Sequence, residues 1–568
     1  MEKIINQIIN PFSIKLTQNN TLPAAQAMLY ATGLKEDDFN KAQVGIVSNW
    51  YEGNPCNMHL NILSKKIKLS VKRNGIVGFQ FNTIGISDGM SMGTSGMRYS
   101  LPSRELIADS IESVVKAQHY DGLIGIPGCD KNIPGIVMAM LRINRPSILV
   151  YGGSISSGSY NGKKLNIVSV FEALGEKNIG KISEIEYKNI IKNACPGPGA
   201  CGGMYTANTM ASCCEAMGIT IPYSSSSLAN SSYKKQECIH IGKYIKNILL
   251  KNIKPLDIIT NKSIKNAITL AIALGGSTNL VLHILAIAKT ANLDLSLDDI
   301  QNLNNNVPII ANLKPSGDFL MEDIQNIGGI PIILKYLLNE GFLEGDCMTV
   351  TGKTIKNNLK KITNLKKEIS FKKKIIYPLF NPIKKIGHIR ILYGNIAPEG
   401  AVAKITGKEG NFFSGIAKVF NSENSANEAI INNQIKKGDV IVIRYVGPKG
   451  GPGMPEMLKP TSYIMGANLG NQIALITDGR FSGGSHGFVV GHITPEAQNG
   501  GLISLIKNGD VIIIDAIKNT LTLKISKEEI KKRKKNWLAP PFKVKSGYLY
   551  KYTKTVSSAS NGCVTDKF

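Results

Sequence analysis

The sequence has no CxxC pair, no HExxH motif and no unbroken apolar run long enough to span a bilayer. The first absence argues against a zinc ribbon or a thioredoxin-type site, and the second against a zincin-type hydrolase. The most membrane-like stretch, residues 267–288, is broken by Gly275-Gly276-Ser277-Thr278-Asn279, so it reads as two buried helices meeting at a polar turn. The opening MEKIINQIINPF lacks the apolar core and cleavage pattern of a secretion signal. Helix-turn-helix, zinc-finger and aromatic-basic signatures are missing, as are internal repeats and low-complexity tails. These exclusions point to a soluble cytoplasmic chain with neither a membrane nor a nucleic acid as its partner.

Acidic residues are also scarce, 41 against 67 Lys and Arg, which leaves a formal charge of +26. The lysines are scattered among many Ile and Asn, so the charge reads as compositional drift. A basic nucleic-acid-binding protein is the rival from a different functional class. The densest run, Lys531-Lys532-Arg533-Lys534-Lys535, is expected to continue a helix starting near Ser526, with a solvated face. A hydrophobic content of 43% and a charged content of 19% suit an ordinary globular core. Nine cysteines, an odd number without a secretion signal, suggest reduced thiols. The 56 glycines cluster in GGSISSG, GPGACGG, GPKGGPGMP and FSGGSHG, where backbone must turn sharply or approach a ligand closely.

Val44 to Val47 reads as a buried strand followed by a loop from Asn49 to Asn57. A helix is expected from Ser103, its cap, to about Gln118, with Ile107, Ile111, Val114 and Val115 on one face. Leu123 to Ile126 is a strand, Gly128 to Lys131 a turn, Ile136 to Leu141 a helix and Ser147 to Tyr151 a further strand. This alternation predicts a parallel sheet in a large N-terminal α/β domain, with Cys129 and Asp130 beyond a strand's carboxyl end. The lysine-rich stretch from Asn364 to Lys385, holding Pro378 and Pro382, suggests a boundary that divides the chain into residues 1–380 and 381–568. Beyond it, Ala401 to Ile405, Asp439 to Tyr445, Ile473 to Thr477 and Val511 to Asp515 predict a smaller, β-rich, barrel-like C-terminal domain.

Local motifs mislead here. Gly197 to Gly202 matches GxGxxG, but it follows the helix-like Tyr187 to Ala194 instead of a strand. Gly352-Lys353-Thr354 resembles the end of a phosphate loop whose first glycine is Cys347 in this chain. His59, His119 and His283 each stand alone and read as structural. Cys56, Cys129 and Cys201 each read as buried small hydrophobes, at intervals that fit no local ligand motif.

Longer blocks carry more. GNPCNMHL from Gly53, SDGMSMGTSGMRYSLPSRELIADSIE from Ser87 and GCDKNIPG from Gly128 are followed by ACGGMYTANTMASCCEAMG from Ala200 and ALGGSTNLVLH from Ala273. GNIAPEGAVAK from Gly394, GPKGGPGMPEM from Gly447 and TDGRFSGGSHGFVVGH from Thr477 complete the series. In this order, over nearly the whole chain, they resemble the dihydroxy-acid and sugar-acid dehydratase family. SMGTSGMRYSLPSRE and GCDKN look like its dihydroxy-acid branch. GCDKN with ACGGMYTANTM is similar to members with a [2Fe-2S] cluster, the alternative being [4Fe-4S].

The resemblance implies a hydro-lyase that converts 2,3-dihydroxy-3-methylbutanoate and 2,3-dihydroxy-3-methylpentanoate to 2-oxo acids in valine and isoleucine synthesis. A sugar-acid (aldonate) dehydratase with the same metal centre is the nearest rival. By matching positions, Cys56, Cys129 and Cys201 would hold the cluster, and the N-terminal domain would carry it. Asp88, Asp130, Glu456 and a carbamylated Lys131 would hold Mg²⁺, and Ser482, from the C-terminal domain with Glu456, would be the catalytic base. A homodimer is implied in the same way. Ser95 departs from the acidic residue many relatives have there.

This chemistry suits those residues. Three thiolates leave one iron one protein ligand short, open to act as a Lewis acid on the departing C3 hydroxyl. Mg²⁺ prefers oxygen donors, and carbamylation makes an oxygen donor of a lysine. Placed against Mg²⁺, a serine alkoxide becomes accessible, and Gly479, Gly483 and Gly484 would let N–H groups approach the same charge. The helix opened by Gly275 to Asn279 offers free N–H groups to the substrate carboxylate, with Thr278 and Asn279 as expected contacts.

Overall fold

The computed structural model describes residues 9–178, 180–365, 374–406, 409–466, 469–483, 485 and 487–566. Four short runs form the first sheet: β1 (Gln43–Ser48), β2 (Val77–Asn82), β3 (Gly122–Ile126) and β4 (Ser147–Leu149). They lie in the order β2-β1-β3-β4, with every pairing parallel. β1, β3 and β4 are buried along their whole length, which is why they read as continuous apolar runs rather than alternating ones.

The crossovers are helical: α1 (Leu60–Arg73), α2 (Ser100–Ala117) and α3 (Asn132–Ile143). α2 buries Ile107, Ile111 and Val115 at helical spacing. It begins three residues earlier than Ser103, the expected cap, because Pro102 is tolerated in a first turn. Ser103 is instead buried inside the helix and donates to the Ser100 carbonyl at 2.6 Å. Further along, α4 (Thr206–Met217) is buried throughout. The apolar stretch of residues 267–288 divides into α5 (Asn261–Ala273) and α6 (Asn279–Thr290). No helix among the described residues is long and apolar enough to cross a membrane.

The second sheet has eight strands: β5 (Ile389–Leu392), β6 (Ala401–Lys404), β7 (Phe412–Phe420), β8 (Asp439–Ile443), β9 (Ala474–Thr477), β10 (Phe488–Gly491), β11 (Val511–Asp515) and β12 (Thr520–Leu523). Their order is β12-β11-β7-β8-β9-β10-β6-β5. The two outer strands nearly close on each other, since the Leu521 N–H donates to the Tyr393 carbonyl at 2.7 Å and the Tyr393 N–H to Asn519 at 2.9 Å. The C-terminal half is thus β-rich and barrel-like, with its own core built on Val440, Ile476, Val490, Ile512 and Leu521. The described part of the lysine-rich stretch lies along the N-terminal half, where the Ile309 N–H donates to the Lys384 carbonyl at 2.9 Å.

Two features join the halves. The last helix, Gly547–Thr555, and the turn after it leave the barrel and pack on α2, placing Tyr552, Val556 and Cys563 against Leu101, Leu282 and Met454. Arg104 of α2, fully buried, holds this tail by donating to the Gly562 and Cys563 carbonyls at 2.7 and 2.8 Å. The basic run forms the helix Lys527–Lys535, capped by the Ser526 hydroxyl, with Arg533 turned inward onto Asp510 at 2.5 Å.

Candidate active site

The loops after β1 and β3 carry Cys56 and Cys129, and the segment leading into α4 carries Cys201, to the lining of one cavity. An asparagine fixes the backbone at each. Asn54 accepts the Cys56 N–H at 3.0 Å, Asn132 accepts the Cys129 N–H at 2.8 Å, and Asn208 donates to the Cys201 carbonyl at 2.7 Å. Gly128 lets the first two loops meet, because a Cβ there would overlap the Cys56 carbonyl. The Gly199 N–H ties the third loop to the Pro55 carbonyl at 3.0 Å. The three cysteines are not in disulfides. The Cys129 side chain and burial push the Cys56 thiol up, and burial with Asp130 nearby does the same to Cys201. Thiols held this way keep their protons in water and give them up to solvent only as a thiophilic metal takes their place on sulfur.

The acidic group sits beside them. Oxygen atoms of Asp88, Asp130 and Glu456 lie within 4.8 Å of one another. Asp88 follows β2, Asp130 follows β3, and Glu456 arrives from the C-terminal half on a short strand pair, Glu456–Met457 against Arg480–Phe481. The buried Lys131 ammonium stands among the three carboxylates, bonded to Asp88, 3.1 Å from Glu456 and 3.6 Å from Asp130. Burial and Arg480 press this ammonium down, but the three carboxylates together outweigh them and hold it above the usual lysine value. Burial pushes the Asp130 carboxyl up to about 7, with Lys131 opposing. An all-oxygen, mainly buried carboxylate set is what a hard divalent cation selects.

Ser482 and Gly483 close the cavity from the barrel side, and Pro55, Met90, Met92, Ile167, Phe171 and Leu458 give it an apolar wall. The cavity holds about 200 Å³, room for a small molecule rather than a cofactor-sized organic ligand. The Ser482 N–H donates to the Met457 carbonyl at 2.9 Å, so the serine and Glu456 share one anchor. All eight residues expected at the site, Cys56, Asp88, Cys129, Asp130, Lys131, Cys201, Glu456 and Ser482, therefore converge here.

Models of the dihydroxy-acid/6-phosphogluconate dehydratase N-terminal and C-terminal regions match residues 41–358 and 374–563. The chain belongs to this family. It is 59% identical to a dihydroxy-acid dehydratase of Flavobacterium psychrophilum over 98% of this chain and 99% of that one. It is 57% identical to the chloroplastic dihydroxy-acid dehydratase of Arabidopsis thaliana, covering 98% and 91%. The mitochondrial dihydroxy-acid dehydratase of Schizosaccharomyces pombe is 56% identical, with 99% and 94% covered.

Within this dehydratase framework the helix end expected to meet the substrate stands back from the cavity. Thr278 and Asn279 do not line the cavity; Thr206 and Tyr205 do. The Asn279 N–H is taken by the Ser277 hydroxyl at 3.2 Å. Its buried amide donates to Thr206 at 3.1 Å and to Glu456 at 3.2 Å, so it fixes a carboxylate of the site. Ser95 is exposed and apart from the cavity. Gly484 lies outside the described residues. His59 and His283 are structural, with burial holding both below the usual histidine value.

Sequence reasoning missed Arg480 and Cys195. Arg480, fully buried, donates to Glu456 and to the Met454 carbonyl at 2.8 Å. Cys195 lines the cavity mouth as a fourth cysteine. Arg480 stands inside the quoted GRFSGG block, where its spacing from Glu456 gives no hint that the two pair in space.

Proposed function

We propose that the chain is a dihydroxy-acid dehydratase, a hydro-lyase that turns 2,3-dihydroxy-3-methylbutanoate and 2,3-dihydroxy-3-methylpentanoate into 2-oxo acids for valine and isoleucine synthesis. The observation that carries this reading is the meeting of three cysteines and three carboxylates on one cavity with an apolar wall. That wall suits the methyl and ethyl groups of these acids better than the hydroxyls of an aldonate.

In this reading Cys56, Cys129 and Cys201 hold a [2Fe-2S] cluster, and Asp88, Asp130, Glu456 and carbamylated Lys131 hold Mg²⁺. Charge balance supports the second assignment. Three carboxylates with Lys131 and Arg480 carry a net charge of about −1. Exchanging the ammonium for a carbamate and adding Mg²⁺ leaves that balance unchanged, so the pocket already has the field the loaded site needs. When bound, the cluster iron supplies a Lewis acid for the departing C3 hydroxyl, and Mg²⁺ supplies positive charge beside the substrate carboxylate and C2 oxygen.

The chain's own groups do the rest. The Ser482 oxygen takes the C2 proton, the C3–O bond breaks with its electron pair on the hydroxyl, and the proton held on Ser482 is given up to that hydroxyl, which leaves as water and restores the serine oxygen. The enol so formed tautomerises to the 2-oxo acid. Arg480 and Asn279 keep Glu456 in place, while the apolar wall keeps bulk water from the reacting carbons. We place the division between cluster-bearing and serine-bearing halves near residue 380, and the enzyme in the cytoplasm as a homodimer.

Anaerobically purified protein tests this. Two iron and two sulfide per chain, charge-transfer absorbance and Mg²⁺-dependent turnover of 2,3-dihydroxy-3-methylbutanoate are expected. Faster turnover of aldonates would overturn the substrate assignment, and four irons would overturn the cluster type.

A further inference from the structure

Lys404 ends β6, yet its side chain runs inward and is buried. The ammonium donates to the Ser485 carbonyl at 3.1 Å and to the Gly483 carbonyl at 3.4 Å. These belong to the turn that starts at Ser482, whose carbonyl accepts the Ser485 N–H at 3.0 Å. Lys404 makes no ion pair among the described residues, and Glu409 attracts it only from farther away. His388, close enough to feel the Lys404 charge, is kept uncharged by burial, with Nε2 on the Gly276 carbonyl at 2.6 Å.

A buried cation without a close counter-ion is costly to fold around, and an apolar side chain of similar size would fill the same space at less cost. Burial indeed pushes the Lys404 ammonium down to about 8, so it is held charged at neutral pH against its surroundings. Packing alone does not explain that charge. Its two bonds reach the turn of a serine that has to carry negative charge to act as a base.

We propose that Lys404 is a positioning residue for Ser482: its ammonium holds the serine turn by two carbonyls, and its field favours the negative oxygen that accepts the C2 proton. This rests on the reading of Ser482 as the base. No bond to substrate is formed or broken at Lys404, and its own protons stay in place during turnover.

Lys404→Met, Lys404→Gln, Lys404→Arg and Ser482→Ala, with the Lys404→Met/Ser482→Ala double variant, test it in the metal-loaded enzyme. Substrate is supplied with hydrogen or deuterium at C2. Lys404→Met should keep the cluster absorbance and lose kcat by about a hundredfold with KM nearly unchanged. The deuterium isotope effect should grow, because proton removal becomes slower. Lys404→Arg should recover most of the rate, and the double variant should be no slower than Ser482→Ala alone. Turnover of Lys404→Met or Lys404→Gln within about threefold of the parent would overturn the proposal. So would a double variant that multiplies the two losses. If Ser482→Ala itself keeps turnover, the base assignment fails, and that outcome is read separately from the Lys404 variants.

Discussion

Lowering the pH from 8 to 6 should weaken Mg²⁺ binding by about tenfold, and by more when dissolved CO₂ is held constant. In the metal-free protein the Asp130 carboxyl sits at about 7, because burial disfavours its ionised form. About one such carboxyl in eleven is then ionised at pH 6, and about ten in eleven at pH 8. A cation that binds only the ionised form loses that ratio in affinity, about 1.4 kcal/mol. The same shift has a stability counterpart. The folded value lies above the ordinary 3.8, so the proton on Asp130 stabilises the metal-free fold at low pH. That contribution is lost as the pH rises through about 7, where the proposed Mg²⁺ would take its place. Lys131 adds slope of the same sign, since its ammonium, held above the usual lysine value, must give up protons to become a carbamate. Titration with Mn²⁺, followed by its free-ion paramagnetic signal at pH 6, 7 and 8, measures this directly. Asp130→Asn should bind weakly and lose the Asp130 part of the slope. Equal affinity for the parent at pH 6 and pH 8 would refute the reasoning.

Cys129→Ala should bleach the charge-transfer band while leaving Mn²⁺ binding measurable, since the thiols and carboxylates come from different side chains. Asn279→Ala removes a buried donor to Glu456, a loss of about 1–3 kcal/mol. The Mg²⁺ half-saturation should therefore rise roughly 5- to 150-fold with the cluster spectrum unchanged, and an unchanged half-saturation would restore the helix-end role. Gly562→Ala should lower the melting temperature and weaken Mg²⁺ binding together. The residue has φ +78°, and a Cβ there would lie 2.7 Å from the Ala286 backbone nitrogen, so relief requires the tail to lift from α6. An unchanged melting temperature would count against the tail as an anchor.

The parallel sheet was legible because strands buried on both faces leave continuous apolar runs, and β1, β3 and β4 fall within a residue or two of where those runs stand; in the second sheet β6, β8, β9 and β11 do the same. Helix ends were less legible. Ser103 has the right side chain for a cap, but Pro102 and Leu101 extend the first turn behind it, and periodicity does not register that. The site is a different matter. Cys56 and Cys129 follow separate strands and Cys201 stands between two helices, and no spacing rule encodes their meeting; only the long motif blocks pointed to them. Arg480 stayed hidden for the same reason, and Asn279 was picked out for a different contact, since their value lies in reaching Glu456 across 24 and 177 residues of chain.

The division of the site between halves also sets an order in time. All three cysteines and two of the three carboxylates lie within the first 201 residues, whereas Glu456 and Ser482 follow only after roughly 255 and 280 more. At a synthesis rate on the order of 5–20 residues per second, the thiol side exists for about 15–60 s before the serine does. The tail that Arg104 grips comes last of all. On the proposed reading a nascent chain therefore displays its sulfur donors before it owns a base, and reactivity is switched on only when the barrel closes over them.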